Sequence, residues 1–380
     1  MHRHPSSLVY ASRHDYDADM GGQSISGIPT NGKSQLMSLL VVAAMASAML
    51  GCGGGNNSQQ KVVTDVYVAG NGVNGSSGEI AEYWDNGAIT VLGEGVYASE
   101  ASSIFVTGTD VYVAGIEGNG NNGDTDIAKY WKNGVAVDLT DGTQQSYVNS
   151  IFVSGTDVYV AGAELGATNT IAEYWKDGVA VALTDGTQSA MAWSVYVSGT
   201  DVYVAGEEND PNTGYTVAKY WKNGTAVELT DGSEMALAFS IFVSGTDVYV
   251  AGWYCTVVEN ECNIAAYWKD GVVVPLTTST NTYADSILVS GTDVYVAGNS
   301  AQGNGTALFW KDGVVTQLGN GSTYSSASQI AVAGSDVYVG GTNYLGGIFD
   351  VAGYWKNGVF VSLTDGTTFA EGSGIAVVQQ

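Results

Sequence analysis

A six-residue string recurs along most of the chain, and it constrains the fold more than any other feature. Asp-Val-Tyr-Val-Ala-Gly, or once Asp-Val-Tyr-Val-Gly-Gly, occurs seven times at spacings of 43 to 47 residues, beginning at Asp65, Asp110, Asp157, Asp201, Asp247, Asp293 and Asp336. A tryptophan separated by two residues from a following glycine accompanies each copy, at Trp84, Trp131, Trp175, Trp221, Trp268, Trp310 and Trp355. A single unit of this length cannot bury its own apolar face, so the seven units must stack on one another.

Each unit contains the pattern of four short strands. In the third unit these are residues 150–154, 158–162, 171–176 and 179–184. Asn-Gly or Asp-Gly joins the third and fourth strands, which favours a tight hairpin turn. The second strand is apolar at nearly every position, which indicates burial on both faces. Units of this kind are typical of propellers, so we expect an all-β, seven-bladed β-propeller of four-stranded antiparallel blades.

The two ends of the repeat region predict how the ring closes. Residues 56–61 are polar and leave the first unit without a first strand, whereas residues 373–378 match a first strand. We therefore expect residues 375–378 to complete the blade that begins with residues 66–70. The C-terminal strand then pairs with the N-terminal blade and removes two exposed sheet edges.

The first 61 residues have a different composition. Residues 36–50 form an uncharged, mostly apolar run that is short for a bilayer span and suits the core of a signal peptide. Gly51-Cys52 then resembles the bacterial lipoprotein signal, in which the cysteine is lipidated. The alternative is ordinary secretory cleavage after Ala48. Met20 is a second possible initiator methionine. We expect a leader over 1–51, lipidated Cys52 with a flexible tether over 52–61, and a propeller over 62–380. The protein is then expected to be exported and lipid-anchored in the bacterial cell envelope, at the outer membrane or cell surface.

The charge of the chain excludes several classes of function. The formal net charge is −26, and no arginine or histidine follows residue 51. Nucleic acid is excluded as a partner because it requires cationic side chains, and contact with a membrane is expected only through the lipid anchor. Histidine-dependent catalysis is excluded as well. We expect a monomer.

No cofactor or metal is predicted, and Ca²⁺ is only a minor hypothesis. Two oxygen-rich loops motivate it, Asn119 to Asp126 and Glu207 to Asp210, but neither has the spacing of a known calcium loop.

The repeat resembles kelch-type repeats and the seven-bladed propeller repeats of bacterial surface proteins, over about residues 60–380. The resemblance rests on Val-Tyr-Val ending in glycine and on the later tyrosine and tryptophan. The double glycine of kelch appears only at Gly340-Gly341, and Tyr174 and Trp175 are adjacent rather than spaced. The resemblance implies the propeller fold and a role in binding proteins or glycans.

Candidate ligand-binding residues lie where the units differ. Turns between strands one and two, and between three and four, are nearly identical, whereas the other two connections vary, so we expect the site on the variable face. The candidates are Asn149, Trp193, Phe239 and Asp285, at the entry to the first strands, with Trp253 and Tyr254 in the fifth two–three loop. Trp193 and Phe239 predict an aromatic shelf for a sugar ring or an apolar side chain. The alternative is that these two rings cover the channel or a blade seam.

Cys255 and Cys262 stand on opposite legs of that same fifth loop. An exported protein meets an oxidising compartment, so we expect a local disulfide between them.

The sequence favours a binding scaffold for protein or glycan at the cell envelope, and we expect no enzymatic activity. One alternative is a purely structural surface protein. The other is a glycan-active hydrolase or lyase, for which Glu100, Asp285 and Glu371 are the candidate carboxyl groups.

Overall fold

The computed structural model describes residues 63–380 except 74–77, 121–124, 257–260 and 348. These residues form seven four-stranded antiparallel sheets. From inner to outer strand the blades are blade 1, β28 (Ala370–Gln379), β1 (Thr64–Val73), β2 (Glu79–Asp85), β3 (Ala88–Val91); blade 2, β4 (Ser99–Thr107), β5 (Asp110–Gly118), β6 (Asp126–Lys132), β7 (Val135–Asp138); blade 3, β8 (Ser146–Ser154), β9 (Asp157–Leu165), β10 (Thr170–Lys176), β11 (Val179–Ala182); and blade 4, β12 (Ala190–Ser198), β13 (Asp201–Asn209), β14 (Thr216–Lys222), β15 (Thr225–Glu228).

The remaining blades follow the same order. They are blade 5, β16 (Ala236–Ser244), β17 (Asp247–Thr256), β18 (Glu261–Lys269), β19 (Val272–Pro275); blade 6, β20 (Thr282–Ser290), β21 (Asp293–Ser300), β22 (Thr306–Lys311), β23 (Val314–Gln317); and blade 7, β24 (Ser325–Ala333), β25 (Asp336–Asn343), β26 (Val351–Lys356), β27 (Val359–Ser362). No helix long and apolar enough to cross a membrane occurs among the described residues. The predicted leader (1–51) and tether (52–61), including Cys52, lie outside the described residues.

The ring closes through β28, as predicted. This strand is the inner strand of blade 1 and pairs with β1, with Val377 opposite Val66 and Ile375 opposite Val68. The prediction of a seven-bladed propeller closed by its C-terminal strand is therefore confirmed.

The hairpin turns explain why each unit has Asn-Gly or Asp-Gly after its third strand. In blade 2, Asn133 and Gly134 have φ angles of 51° and 80°, which few other residues adopt without strain. The Asn133 side-chain oxygen also accepts a hydrogen bond from the Val111 amide at 2.8 Å. The turn residue thus fixes the hairpin and holds the start of the second strand.

The glycine that ends each second-strand motif is required by a close approach. A Cβ atom on Gly162 would lie 1.9 Å from the carbonyl oxygen of Tyr147 and 3.1 Å from the ring of Trp175. The inner strand bulges at this point, between Val148 and Ser150, and brings its backbone against the glycine. Trp175 and the equivalent tryptophans of the other blades are each 1% exposed, so the repeated tyrosine–tryptophan pairs serve packing.

Neighbouring blades are joined by hydrogen bonds between their inner strands. The side chain just after each bulge accepts a hydrogen bond from a backbone amide of the next blade. The acceptor and donor pairs are Ser103 and Ile151, Ser150 and Val195, Ser194 and Ile241, Ser240 and Ile287, Ser286 and Ile330, and Gln329 and Ile375. Gly374 occupies the equivalent position in blade 1. The repeated inner-strand serine therefore holds the ring together.

The lysines of the described residues are all used in ion pairs. Six of them bridge the first aspartate of the repeat motif on the face that carries the tight turns, as in Lys132 with Asp110 at 2.9 Å. The other two, Lys129 and Lys219, pair with Glu117 and Glu208. The scaffold thus leaves none of these eight cations for carboxylates elsewhere in the described part of the chain.

Candidate functional site

The bulge in each inner strand marks the region where the seven blades differ most. We define the bulge ring as three positions per blade: the bulged residue, the residue two before it, and the second-strand residue opposite that one. The bulged residues are Ser102, Asn149, Trp193, Phe239, Asp285, Ser328 and Ser373. The other two positions hold Glu100 and Ile116, Tyr147 and Ala163, Met191 and Glu207, Leu237 and Trp253, Tyr283 and Asn299, Ser326 and Thr342, and Glu371 and Asn71. Bulges often re-aim side chains beside functional sites.

Blades 4 to 6 contribute an apolar arc to this ring. It consists of Met191, Trp193, Leu237, Phe239, Trp253 and Tyr283, which pack in one cluster with Cys255. The Trp193 and Phe239 rings meet edge to face, with centroids 5.3 Å apart and planes at 88°. The arc is therefore a continuous apolar wall built from three blades.

Polar groups hold the arc in place. The indole nitrogen of Trp193 donates a hydrogen bond to the buried carboxylate of Glu207. The Asn149 side-chain amide donates to the carbonyl oxygen of Ala192 in the next blade at 2.9 Å. Asp285 accepts a hydrogen bond from Asn299 at 2.7 Å. These contacts fix the side chains that line the ring.

The structure brings several of the predicted binding residues together. Trp193, Phe239 and Trp253 share the apolar arc and are 6%, 3% and 4% exposed. Tyr254 is half-buried and packs against the main core of the propeller instead, so the structure does not bring it together with these three residues. Asn149 and Asp285 are buried at the two sides of the arc. Ligand binding by these six residues stays a prediction.

A disulfide joins Cys255 at the end of β17 to Cys262 at the start of β18. Cys255 packs against the apolar arc, so the disulfide fixes the base of the fifth two–three loop beside it.

Blades 7, 1 and 2 contribute a group of acids, which we call the carboxylate arc: Glu79, Glu100, Asp350 and Glu371. Burial, with the nearby charges of the other three acids, raises the pKa of Glu371 well above its usual range. Burial also raises the pKa of Asp350. Glu371 is 6% exposed, and its Oε1 has no hydrogen-bond partner among the described residues. The arc therefore concentrates negative charge, with one carboxyl buried inside it.

Tyr324 lies against the carboxylate arc. Burial raises the pKa of this phenol, and the negative charge of Glu371 raises it further. Glu100 and Glu371 were singled out from the sequence only as possible catalytic acids, whereas Glu79 and Asp350 were not singled out. Glu79 is the first residue of a third strand and Asp350 directly precedes one, so their place at the end of a two–three connection was the available signal.

A cleft of 290 Å³ opens between blades 6 and 7. Its lining includes Leu318, Tyr344, Leu345 and Phe360. It is built from the outer strands and their connections, and is lined by none of the bulge-ring residues.

Calcium binding at the two oxygen-rich loops stays a prediction. Asn121 and Asp124 lie outside the described residues. Glu207 accepts the Trp193 hydrogen bond, and Asp210 accepts hydrogen bonds from the backbone amides of Asn212 and Thr213. Across the described ranges, no group of three or more histidine, cysteine, aspartate or glutamate side chains is arranged to hold a metal ion.

Comparison with known proteins supports the fold. No protein-family model matches the chain, and no curated protein matches it. Among solved structures it is similar to the Pyrococcus horikoshii acylaminoacyl peptidase, with a TM-score of 0.50 and 13% identity over 80% of this chain. It is also similar to the β-propeller domain of the trilobed protease from Pyrococcus furiosus, with a TM-score of 0.52 and 10% identity over 80% of this chain. The chain spans about half, 51%, of the first of these proteins and 93% of the second.

These neighbours contradict the expectation that the chain has no enzymatic role. That expectation rested on the agreement among repeats and on the absence of histidine, yet both neighbours are peptidases or parts of one. The trilobed-protease propeller is described as having an open velcro topology, whereas here β28 pairs with β1 and closes the ring. At 10–13% identity the likeness shows the fold alone, and the fold of this chain is a seven-bladed β-propeller.

Proposed function

We propose that this propeller binds a polypeptide through its bulge ring. One observation carries the proposal: the blades repeat closely along their strands but differ at the bulge ring, which supplies the apolar arc and two acids of the carboxylate arc, Glu100 and Glu371. A repeat needed only for packing gives each blade the same residue, as it does at the seven tryptophans. Blade-specific residues at one end of a propeller therefore favour recognition.

The chemistry of the ring favours a polypeptide over a glycan. Sugar binding generally uses the open face of an aromatic ring, but the rings of Trp193 and Phe239 pack edge to face with each other. An apolar wall beside a group of carboxylates complements a segment that carries both apolar and cationic side chains. The peptidase names of the two structural neighbours also favour this ligand class.

Peptide-array binding tests the proposal. We expect the purified protein to bind peptides that combine apolar and basic residues, and Trp193→Phe to weaken binding about tenfold, because it removes the indole hydrogen bond to Glu207. Tyr196→Phe on the same strand beyond the bulge is the matched control and should bind normally. Binding on a glycan array without any peptide binding contradicts the proposal.

The same incubations answer the question of catalysis. Mass spectrometry of the bound peptides, after overnight incubation, reveals whether any are cut. Cleavage extends the proposal from a binding module to a peptidase component.

We also propose that the propeller acts as a monomer on a lipid anchor at Cys52, in the cell envelope. The Gly51-Cys52 signal and the Gly-rich tether after it support this placement. Metabolic labelling with palmitate should mark the protein, and Cys52→Ser should release it from the membrane fraction. An unlabelled mature protein starting at Met49 points instead to ordinary secretory cleavage after Ala48.

A further inference from the structure

We propose that the carboxylate arc around Glu371 is a subsite for an alkylammonium group, carried by a lysine side chain or a free N-terminus of the bound polypeptide. The inference rests on the proposed function, since it identifies the chemistry of one part of the ligand.

The first argument comes from the equivalent residues in the other blades. The position of Glu371 holds Tyr147, Met191, Leu237, Tyr283 and Ser326 in blades 3 to 7. Five blades therefore fold with an uncharged residue there. Burial of a carboxyl group costs free energy unless a partner compensates it. The packing of blade 1 therefore does not require a carboxyl group at the position of Glu371.

The second argument is that the described lysines pair with acids outside the carboxylate arc, including two half-buried acids in blades 2 and 4. Glu117, which is 12% exposed at its side chain, receives Lys129 at 2.5 Å, and Glu208 receives Lys219 at 2.9 Å. Each of the eight lysines within the described residues has an acidic partner outside the carboxylate arc. Glu371 Oε1 is buried without a hydrogen-bond partner among the described residues, so no described lysine compensates this carboxyl group.

The third argument selects an organic cation over a metal ion. A metal needs several oxygen ligands converging within about 2.0–2.6 Å of one point, and the described acids of the arc do not form such a group. An ammonium group instead donates three hydrogen bonds in different directions, to separate acceptors. Tyr324 lies close enough to Glu371 to feel its charge, so an aromatic side chain is available near the methylene groups that follow the nitrogen.

The apolar arc places the rest of the ligand. It lies on blades 4 to 6 of the same ring, so a peptide with an apolar residue at a distance from its ammonium group can engage both arcs. The two arcs together predict selectivity for basic, partly apolar segments.

Calorimetry with n-butylammonium as the probe tests the subsite directly. We expect saturable binding by the purified protein and a loss of tenfold or more in Glu371→Gln. Glu228→Gln is the matched control, because Glu228 is exposed on the outer strand of blade 4. If Glu371→Gln binds the probe as tightly as the unmodified protein, the proposal is overturned.

Thermal stability separates this role from a structural one. Because Glu371 Oε1 has no hydrogen-bond partner among the described residues, replacing this buried carboxyl group by an amide should leave the melting temperature of Glu371→Gln unchanged or raised, while binding falls. A structural role predicts a lower melting temperature with unchanged probe binding, which overturns the proposal. Glu371→Ser, taken from the equivalent Ser326, provides a second variant if the glutamine variant folds poorly.

Peptide variants distinguish the sources of the ammonium group and the two proposals. Peptides are acetylated either only at the lysine or only at the N-terminus. The modification that blocks the ammonium group bound by Glu371 should abolish the difference in peptide affinity between the unmodified protein and Glu371→Gln. If uncharged peptides bind as well as basic ones, the subsite is wrong while the proposed function stands. If n-butylammonium binds but no peptide does, the subsite stands and the proposed function is wrong.

Discussion

Glu173 lies beside Glu164 in blade 3. The equivalent positions of blade 2 hold Lys129 and Glu117, which form an ion pair at 2.5 Å. Burial, with a smaller contribution from the charge of Glu164, raises the pKa of Glu173 to about 7. Blade 3 therefore contains two acids in a place where the fold accommodates a cation and an acid.

This pair predicts a dependence of stability on pH. The pKa of Glu173 is raised in the folded state, so the protonated carboxyl group stabilises the fold. This contribution to the free energy of unfolding is fully present below pH 4.5 and is lost as the pH rises through 7. The loss is at most on the order of 3 kcal/mol. Glu173→Lys should restore the ion pair with Glu164, raise the free energy of unfolding at pH 8 and flatten its decline between pH 5 and pH 8. Urea melts across this range measure both effects.

Glu173→Gln serves as the control for charge alone. It should remove the pH dependence without the further gain from a new ion pair. A lysine variant that is less stable than the glutamine variant at pH 8 contradicts the equivalence of blades 2 and 3.

The hydrogen bonds between blades predict a second result. Ser240→Ala leaves the buried amide of Ile287 without its acceptor, now 3.0 Å away, and should cost about 1–3 kcal/mol. Ser244→Ala, at the half-exposed end of the same strand, should cost much less. Equal losses in chemical denaturation are inconsistent with a seam held by the inner serines.

A third prediction concerns the glycine that ends the repeat motif. Gly162→Ala places a methyl group 1.9 Å from the Tyr147 carbonyl oxygen, so the bulge must shift, at a cost above about 3 kcal/mol. Gly155→Asn is the control, because no atom lies within 4 Å of its Cβ position and asparagine tolerates its φ of 63°. Calorimetric melting should separate the two; a mild effect of Gly162→Ala rules out the close approach.

The ring closure predicts that β28 is as important as any other inner strand. Ile375 on β28 and Ile151 on β8 occupy equivalent positions, and both are fully buried. Ile375→Ala and Ile151→Ala should therefore lower the free energy of unfolding by similar amounts, about 2–5 kcal/mol each. A cost below about 1 kcal/mol for Ile375→Ala alone would show that the last strand is only loosely attached.

The sequence predicts those features that depend on local chemistry repeated many times. The turn at Asn133-Gly134 follows from the conformational range of its two residues, and β28 follows because residues 373–378 repeat an inner-strand pattern. The seven tryptophans could be assigned to packing for the same reason, since repetition itself indicates a structural role.

The site was less predictable because it depends on contacts between distant residues. Asn149 was predicted as a binding residue, and only the fold reveals that its side-chain amide donates a hydrogen bond to the carbonyl oxygen of Ala192 in the next blade. Glu79, Asp350 and Glu371 come together only because the ring closes, and a register shift of one residue decides which side chains face each other. The absence of histidine did not settle the question of enzymatic role, because two similar solved structures are a peptidase and the β-propeller domain of a protease.

Ring closure also sets the order in which the molecule can be assembled. Gln380 reaches Asp65 across 315 residues of sequence, whereas every other blade is complete within one continuous segment. Six blades can pair their strands soon after they leave the ribosome, but β1 keeps an unpaired edge until β28 has been synthesised. The first blade to be translated is thus the last to be completed. Until β28 has been synthesised, the unpaired edge of β1 is a surface that a chaperone could bind.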